Sequence, residues 1–275
     1  MDNKQEHLIS IIMPTFNADT YLVETIDSVL AQDYRNWELI IIDDCSTDKT
    51  KSIILEYAKV DPRIKSIYLA ENQGAAIARN SGVKIAKGDF IAFIDSDDVW
   101  HSNKLSDQLN FMVSNKYYFS CTYYQKMSES GEPLDVVVKS PQILDYYKLL
   151  RRCPGNSTVM YNSLHLGKFY IPNIRRRNDF VMWLQVIKEA KTMHTLQTPL
   201  TYHRVREGSL SSKKSDLVRY QWQVYRHIEK LPLWISIGLL LDKFVQTITL
   251  SVHMKLQSKI KSPNTPKVEY LRTNK

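Results

Sequence analysis

Two kinds of apolar spacing alternate along the first hundred residues. Largely apolar runs at 9–13, 38–42 and 90–94 read as buried strands, and 64–69 reads as a further strand. Pro14 stops the run at 9–13, Asp43-Asp44 that at 38–42 and Asp95 that at 90–94. Between them apolar residues recur at helical spacing: Leu22, Ile26, Val29 and Leu30, then Ile53, Ile54 and Tyr57, then the alanine-rich 74–86. Ser46-Thr47-Asp48 offers a cap for the second helix, and Gly88 a terminator for the third. Strands alternating with helices predict a mainly parallel sheet with helices on both faces. In such a sheet ligands bind beyond the carboxyl ends of the strands.

The rest of the chain is less regular. We expect a helix at 104–113, a hairpin pairing 117–127 with 135–138, and a strand at 157–161. Asp179 opens a helix carrying Phe180, Trp183, Leu184 and Ile187. The segment 200–203 precedes a polar loop at 204–212, and a helix at 215–229 follows with Leu217, Tyr220, Val224 and Ile228 on one stripe. The run 231–252 is apolar but broken by Asp242 and Lys243, short of the ~20 apolar residues that a membrane span needs. It fits equally a face lying in a membrane interface or a helix packed on its own domain or a second subunit. A loose polar tail is expected from Ser262.

Composition narrows the class. The 275 residues are 43% hydrophobic, with 8 Gly and 10 Pro, which excludes collagen-like and low-complexity chains. The three cysteines are too few for a disulfide framework or zinc site and suit a reducing compartment. The polar start runs straight into a strand, so no secretory leader is expected. Charge is divided: residues 1–100 carry 10 basic and 17 acidic side chains, the remainder 27 and 12. An acidic first part can hold a metal, and a basic second part can face an anionic substrate or membrane. No nucleic-acid motif is present, so no nucleic-acid partner is expected.

The acidic residues gather at strand ends. Asp95-Ser96-Asp97-Asp98 places carboxylates where they can share one hard cation, magnesium or manganese, or cap the helix that follows. Asp43-Asp44 can hold a base or ribose, or cap a helix. Asp179 at a helix start can be a general base or a plain cap. Arg204 and Arg206 can reach diphosphate oxygens, or be a solvated loop.

Taken in order, Ile11-Ile12-Met13-Pro14-Thr15-Phe16-Asn17, Ile41-Ile42-Asp43-Asp44-Cys45-Ser46-Thr47-Asp48, Asn72-Gln73-Gly74-Ala75-Ala76-Ile77-Ala78-Arg79-Asn80 and Phe93-Ile94-Asp95-Ser96-Asp97-Asp98 resemble the nucleotide-binding half of family 2 glycosyltransferases. Thr158-Val159-Met160-Tyr161, Arg177-Asn178-Asp179-Phe180 and the segment from Tyr202 to Ser211 resemble a bacterial subgroup acting in teichuronic acid, capsule or O-antigen assembly. The resemblance implies the Rossmann-like GT-A fold, with a mixed, mainly parallel sheet and a C-terminal helical extension. It also implies an inverting, metal-dependent transfer from a nucleotide sugar, a UDP-sugar above all, to an acceptor hydroxyl.

Residue roles follow from the resemblance. Pro14 and Phe16 would lie beside the base, Asp44 would bind uracil, and Gly74 and Arg79 would belong to the donor site. Asp95 would contact ribose or diphosphate, Asp97 and Asp98 the manganese or magnesium ion of a DXD motif, and Arg206 would close over the donor. Asp179 would be the base; the family's usual Glu-Asp pair is Asn178-Asp179 here. The acceptor would be a saccharide, with a lipid-diphosphate-linked oligosaccharide as the family's model. Peripheral membrane contact on the cytoplasmic face and a homodimer are compatible with the C-terminal stretch.

The expected organisation is a nucleotide-sugar-binding half at 1–115, an acceptor half at 116–212, a helical and potentially membrane-associating extension at 213–261, and a flexible tail at 262–275. The rival reading is a non-enzymatic α/β protein that binds a polyanion or a membrane.

Overall fold

The computed structural model describes residues 6–172, 174, 176–206 and 214–245, with backbone only for 214–217. Part of the expected loop at 204–212, the stretch beyond Val245 and the tail from Ser262 lie outside the described residues.

The strand–helix alternation is present. β1 (Ile9–Thr15), α1 (Leu22–Leu30), β2 (Trp37–Asp43), α2 (Thr50–Val60), β3 (Ile64–Tyr68), α3 (Ala75–Ile85) and β4 (Phe90–Phe93) follow in order. β3, β2, β1 and β4 lie side by side and parallel. The runs of β1, β2 and β4 are mostly apolar because both faces are covered, and the buried polar pair within them, Ser10 and Glu38, is hydrogen-bonded. Ile9, Ile11, Met13, Leu39, Ile41 and Ala92 join α1, α2 and a later helix in one core. Ile12, Ile40, Ile42, Ile91 and Phe93 join α3 and a further helix in the other. The period of two along each strand sorts the residues between the cores.

The second half extends the same sheet. β5 (Val99–Trp100), α4 (Lys104–Asn115), β6 (Phe119–Met127), β7 (Pro133–Val138), β8 (Ile143–Leu144), α5 (Tyr146–Arg151), β9 (Met160–Asn162), α6 (Ser163–Leu166), α7 (Asn178–Ala190), β10 (Met193–Arg204) and α8 (Lys214–Gln223) complete the described elements, with a helix α9 over 233–245. The sheet runs β3-β2-β1-β4-β9-β6-β10-β5, with β7 on β6 and β8 on β10. β9 is antiparallel to both β4 and β6, and β10 is parallel to β6. The carboxyl ends of β1, β2, β4 and β10 therefore open on one edge.

Several local expectations change. Gly88 is not the end of α3, which closes at Ala86. A Cβ there would meet the Ser10 nitrogen at 2.5 Å, the Phe90 oxygen at 2.7 Å and the Leu8 oxygen at 2.8 Å, so it is glycine because two backbones touch. Residues 156–158 form a 3₁₀ turn before β9 rather than the first part of a strand. β10 is far longer than 200–203; Pro199 inside it falls at a break in register with β6, where a missing N–H can be tolerated. The expected helix 215–229 divides into α8 and a π-helical turn at Val224–Ile228.

Candidate active site

Two turns at the carboxyl edge are stitched together before any functional group is placed. Asn17, with φ 47°, accepts the Thr47 N–H at 2.9 Å, and its own N–H donates to the Ser46 hydroxyl at 2.9 Å. Phe16, 49% exposed, projects beside them, and Pro14 is half-buried. Asp44 is buried, and its two oxygens accept the Gln73 and Gly74 N–H groups, each at 2.8 Å. Gly74 has φ 86°, which a side chain would strain, although an added Cβ would meet no atom within 4 Å. Asp44 thus shapes the entry to α3; each oxygen keeps a further lone pair for a ligand donor.

Beyond β4 the acidic cluster is divided among different partners. The Asp95 N–H donates to the Ser157 hydroxyl at 3.0 Å, and Asp95 Oδ1 accepts from Asn156 at 2.8 Å and from Arg79 at 2.7 Å. The other arm of Arg79 donates to Asn178 Oδ1 at 2.6 Å, and that oxygen also accepts the Asp179 N–H at 2.7 Å. Arg79 is therefore a two-armed bracket from the end of β4 to the first turn of α7. Burial raises the Asp95 carboxyl above the usual range; Arg79 opposes this, while Asp98 and Asp179 add to it.

Asp98 is 1% exposed and fully engaged. It accepts the Ser157 hydroxyl at 2.5 Å, the Arg204 N–H at 3.1 Å and His203 Nδ1 at 3.1–3.2 Å. Burial pulls His203 down, but the charge and hydrogen bond of Asp98, with Asp95 and Asp97, outweigh it and hold the imidazole at about 9. Asp97 differs: Arg206 meets its Oδ2 at 2.6 Å, and burial, then Asp98 and Asp95, lift its carboxyl to about 6.

The two arginines of β10 and its exit also differ. Arg204, read as either a diphosphate contact or part of a solvated loop, is buried, and its donors go to the Asp97 carbonyl at 2.9 Å, the Glu129 carbonyl at 2.9 Å and the Glu24 carboxylate at 2.5 Å. It is a structural clamp. Arg206 has a side chain 36% exposed and lies over the Tyr21 ring, 5.3 Å from its centre.

Among the described residues, no group of three or more His, Cys, Asp or Glu side chains is arranged to hold a metal ion. Magnesium-type ions, however, are usually held by one or two carboxylates together with substrate phosphates. Asp97 fits that role, because crowded negative charge raises its carboxyl and a cation, Arg206, already answers it. Asp98 fits poorly, since both its oxygens are committed to protein donors.

Residues 10–171 match the family model described as glycosyl transferase family 2. The chain belongs to that family. It is 42% identical to the Bacillus subtilis protein TuaG, named as a teichuronic acid biosynthesis glycosyltransferase, over 82% of this chain and 89% of that protein. It is 36% identical to the Escherichia coli WfgD, a UDP-Glc:alpha-D-GlcNAc-diphosphoundecaprenol beta-1,3-glucosyltransferase, over 83% and 89%. Its fold is similar to that of Staphylococcus aureus TarS in complex with UDP-GlcNAc, with a TM-score of 0.66 at 21% identity, covering 92% of this chain and 76% of that one. A mannosyltransferase from Pyrobaculum calidifontis, in complex with GDP-Man and Mn2+, gives 0.64 at 18% identity, covering 87% and 70%. This family 2 glycosyltransferase has the GT-A fold.

The fold of the glycosyltransferase brings Asp95, Asp97, Asp98, Arg79, Arg206 and Asn178-Asp179 to one end of the sheet. Pro14, Phe16, Asp44 and Gly74 line the neighbouring strand ends. Sequence reading missed Asn156, Ser157, His203 and the clamp role of Arg204. Their polar side chains meet partners about 60 to 180 positions away in the chain, and no local pattern marks such pairings.

Proposed function

We propose that this glycosyltransferase moves a sugar from a UDP-sugar to a hydroxyl of a lipid-diphosphate-linked oligosaccharide, with inversion, during assembly of a bacterial surface polysaccharide. Teichuronic acid, capsule and O-antigen are the polymer classes in view. The observation that carries the reading is the Arg79 bracket, which ties the Asp95-Ser96-Asp97-Asp98 turn to the helix start that presents Asp179. The donor chemistry is supported by the UDP-linked donor in the name of WfgD and the UDP-GlcNAc bound to TarS. The acceptor is supported by the diphosphoundecaprenol in the name of WfgD.

In this reading Phe16 and Pro14 flank the uracil and Asp44 accepts its N3–H with a free lone pair. Asp95 and the Arg79 guanidinium hold the ribose and diphosphate side of the donor. Arg206 leaves Asp97 for the diphosphate oxygens, to which a guanidinium fork is well matched. A divalent ion bound at Asp97, manganese or magnesium, would neutralise the charge that develops on the leaving diphosphate. Asp98 supports that turn from beneath rather than acting as a second ligand. Asp179 takes the proton of the acceptor hydroxyl as its oxygen bonds to the anomeric carbon. The bond from that carbon to the diphosphate oxygen breaks, and its electron pair leaves with UDP. Such an acceptor places the reaction at the cytoplasmic face of a membrane; among the described residues no helix is long and apolar enough to cross one.

Calorimetry with UDP, with and without manganese, followed by a donor-hydrolysis screen of nucleotide sugars, tests the reading. Asp97→Asn should lower turnover by about 100-fold or more, the scale of losing one electrostatic contact to the leaving group. Its folding stability should change by less than about 1 kcal/mol, because the substitution also relieves the crowding of charge. Normal turnover by this variant would sink the metal assignment.

A further inference from the structure

α9 packs one side on the domain, and its other side is exposed among the described residues. Ser236 and Leu239 are buried, and Lys243 donates to Gln221 Oε1 at 2.8 Å while lying over the Phe180 ring, 5.0 Å from its centre. On the outer side Leu233, Trp234, Ile237, Leu241, Phe244 and Val245 are between 45% and 75% exposed. At 3.6 residues per turn these six positions fall within about a third of the helix circumference, and no charged residue interrupts them. Contiguous apolar surface of this kind marks an interaction face.

We propose that this face docks the enzyme on an anionic lipid bilayer, with α9 lying in the plane of the headgroups. The inference rests on the reading of a lipid-linked acceptor and names the surface that would bring the enzyme to it. Charge chooses the occupant. Lys230, His227 and Arg219 are exposed on the segments leading into α9, beside a half-buried Trp222. From Lys243 to Val268 the sequence holds no Asp or Glu but has Lys255, Lys259, Lys261 and Lys267. Cations beside an apolar stripe with tryptophan at its edge suit a headgroup interface, whereas a second copy of this chain would bring like charges together.

The inner side gives the docking a consequence. Lys243 is held against Phe180, the residue next to Asp179, and Asp179 and Arg177 are near enough to act on its charge. A bilayer under α9 therefore sets the height of α7's first turn, where the acceptor hydroxyl must arrive.

The test is sedimentation of the full chain with vesicles of phosphatidylcholine alone and of equal parts phosphatidylcholine and phosphatidylglycerol. Binding should be at least about tenfold stronger to the anionic vesicles and weaken several-fold when salt is raised. The exposed-site double variant Trp234→Glu/Leu241→Glu should lose about tenfold or more of that binding, with an unchanged thermal midpoint and unchanged donor hydrolysis. A wild-type chain that stays in the supernatant with both vesicles overturns the inference. So does a double variant that binds as well as wild type, or a non-binding chain that is a dimer in solution and becomes monomeric in the variant. Absence of sugar transfer with vesicle binding intact would instead sink the lipid-linked transferase reading and leave the docking face standing.

Discussion

Removing the one hydroxyl that braces the acidic turn from the neighbouring 3₁₀ turn should cost a large share of the stability of this enzyme. Ser157 is 2% exposed, and its hydroxyl does two things at once. It accepts the Asp95 N–H at 3.0 Å and donates to the buried Asp98 carboxylate at 2.5 Å. Its carbonyl, which receives Trp100 Nε1 at 2.7 Å and the Thr201 hydroxyl at 3.2 Å, is untouched by Ser157→Ala. The variant thus isolates the hydroxyl with almost no change of shape. A hydrogen bond to a charged group contributes about 1.5–3 kcal/mol, and a buried N–H left without an acceptor costs about 1–3 kcal/mol. Asp98 keeps His203 and the Arg204 N–H, which limits the first loss, so we expect about 3 kcal/mol in total against a whole-domain stability of about 5–15 kcal/mol. At a urea m-value of about 3 kcal/mol/M the unfolding midpoint should fall by about 1 M. Ser52→Ala, which removes an exposed hydroxyl bonded to the Lys49 carbonyl, should move it by no more than about 0.2 M. Equal midpoints for Ser157→Ala and wild type would refute the claim that this hydroxyl holds the turn together.

Other outcomes follow from the same geometry. Asn178→Ala strips a partner from the buried Arg79, whose Nε is already unpaired, and should cost about 1–3 kcal/mol in thermal or urea unfolding, while Asn178→Asp restores an oxygen and should recover most of it. A failure of the aspartate to outperform alanine would remove the bracket from the argument. Gly88→Ala forces a methyl onto three backbone atoms and should cost about 3 kcal/mol or more, visible as loss of soluble protein or a collapsed midpoint. His203 has a folded-state value of about 9, above its ordinary 6.5. Its stabilising contribution is therefore complete below about pH 6.5 and lost as pH rises through 9. The gap in thermal midpoint between wild type and His203→Gln should close across that window; a gap independent of pH would show that the Asp98 pair is not what holds the imidazole charged.

The first hundred residues were legible because their signals are local. A strand covered on both faces is apolar at most positions, so 9–13, 38–42 and 90–94 could be read without knowing their neighbours, and each observed strand ends within two residues of the expected bounds. The acidic ends could be read because breaks in apolar runs are visible in sequence. The rest of the chain was read less well. β10 carries Pro199 and two shifts of register against β6, and only the neighbouring strand makes such a segment a strand. Ser157 read as part of a β-run because its side chain's real partners, Asp95 and Asp98, lie about 60 positions upstream.

By itself the amino-acid order determined that a parallel α/β sheet would form and that carboxylates would gather at its carboxyl edge, since periodicity and strand breaks are properties of neighbouring residues. It left three adjacent aspartates and two arginines chemically alike. Tertiary structure separated them, because a buried charge takes the role that its desolvation and its nearest opposite charge allow. Asp98 and Arg204 spend their hydrogen bonds inside the protein, whereas Asp97 and Arg206 meet each other at the mouth of the site.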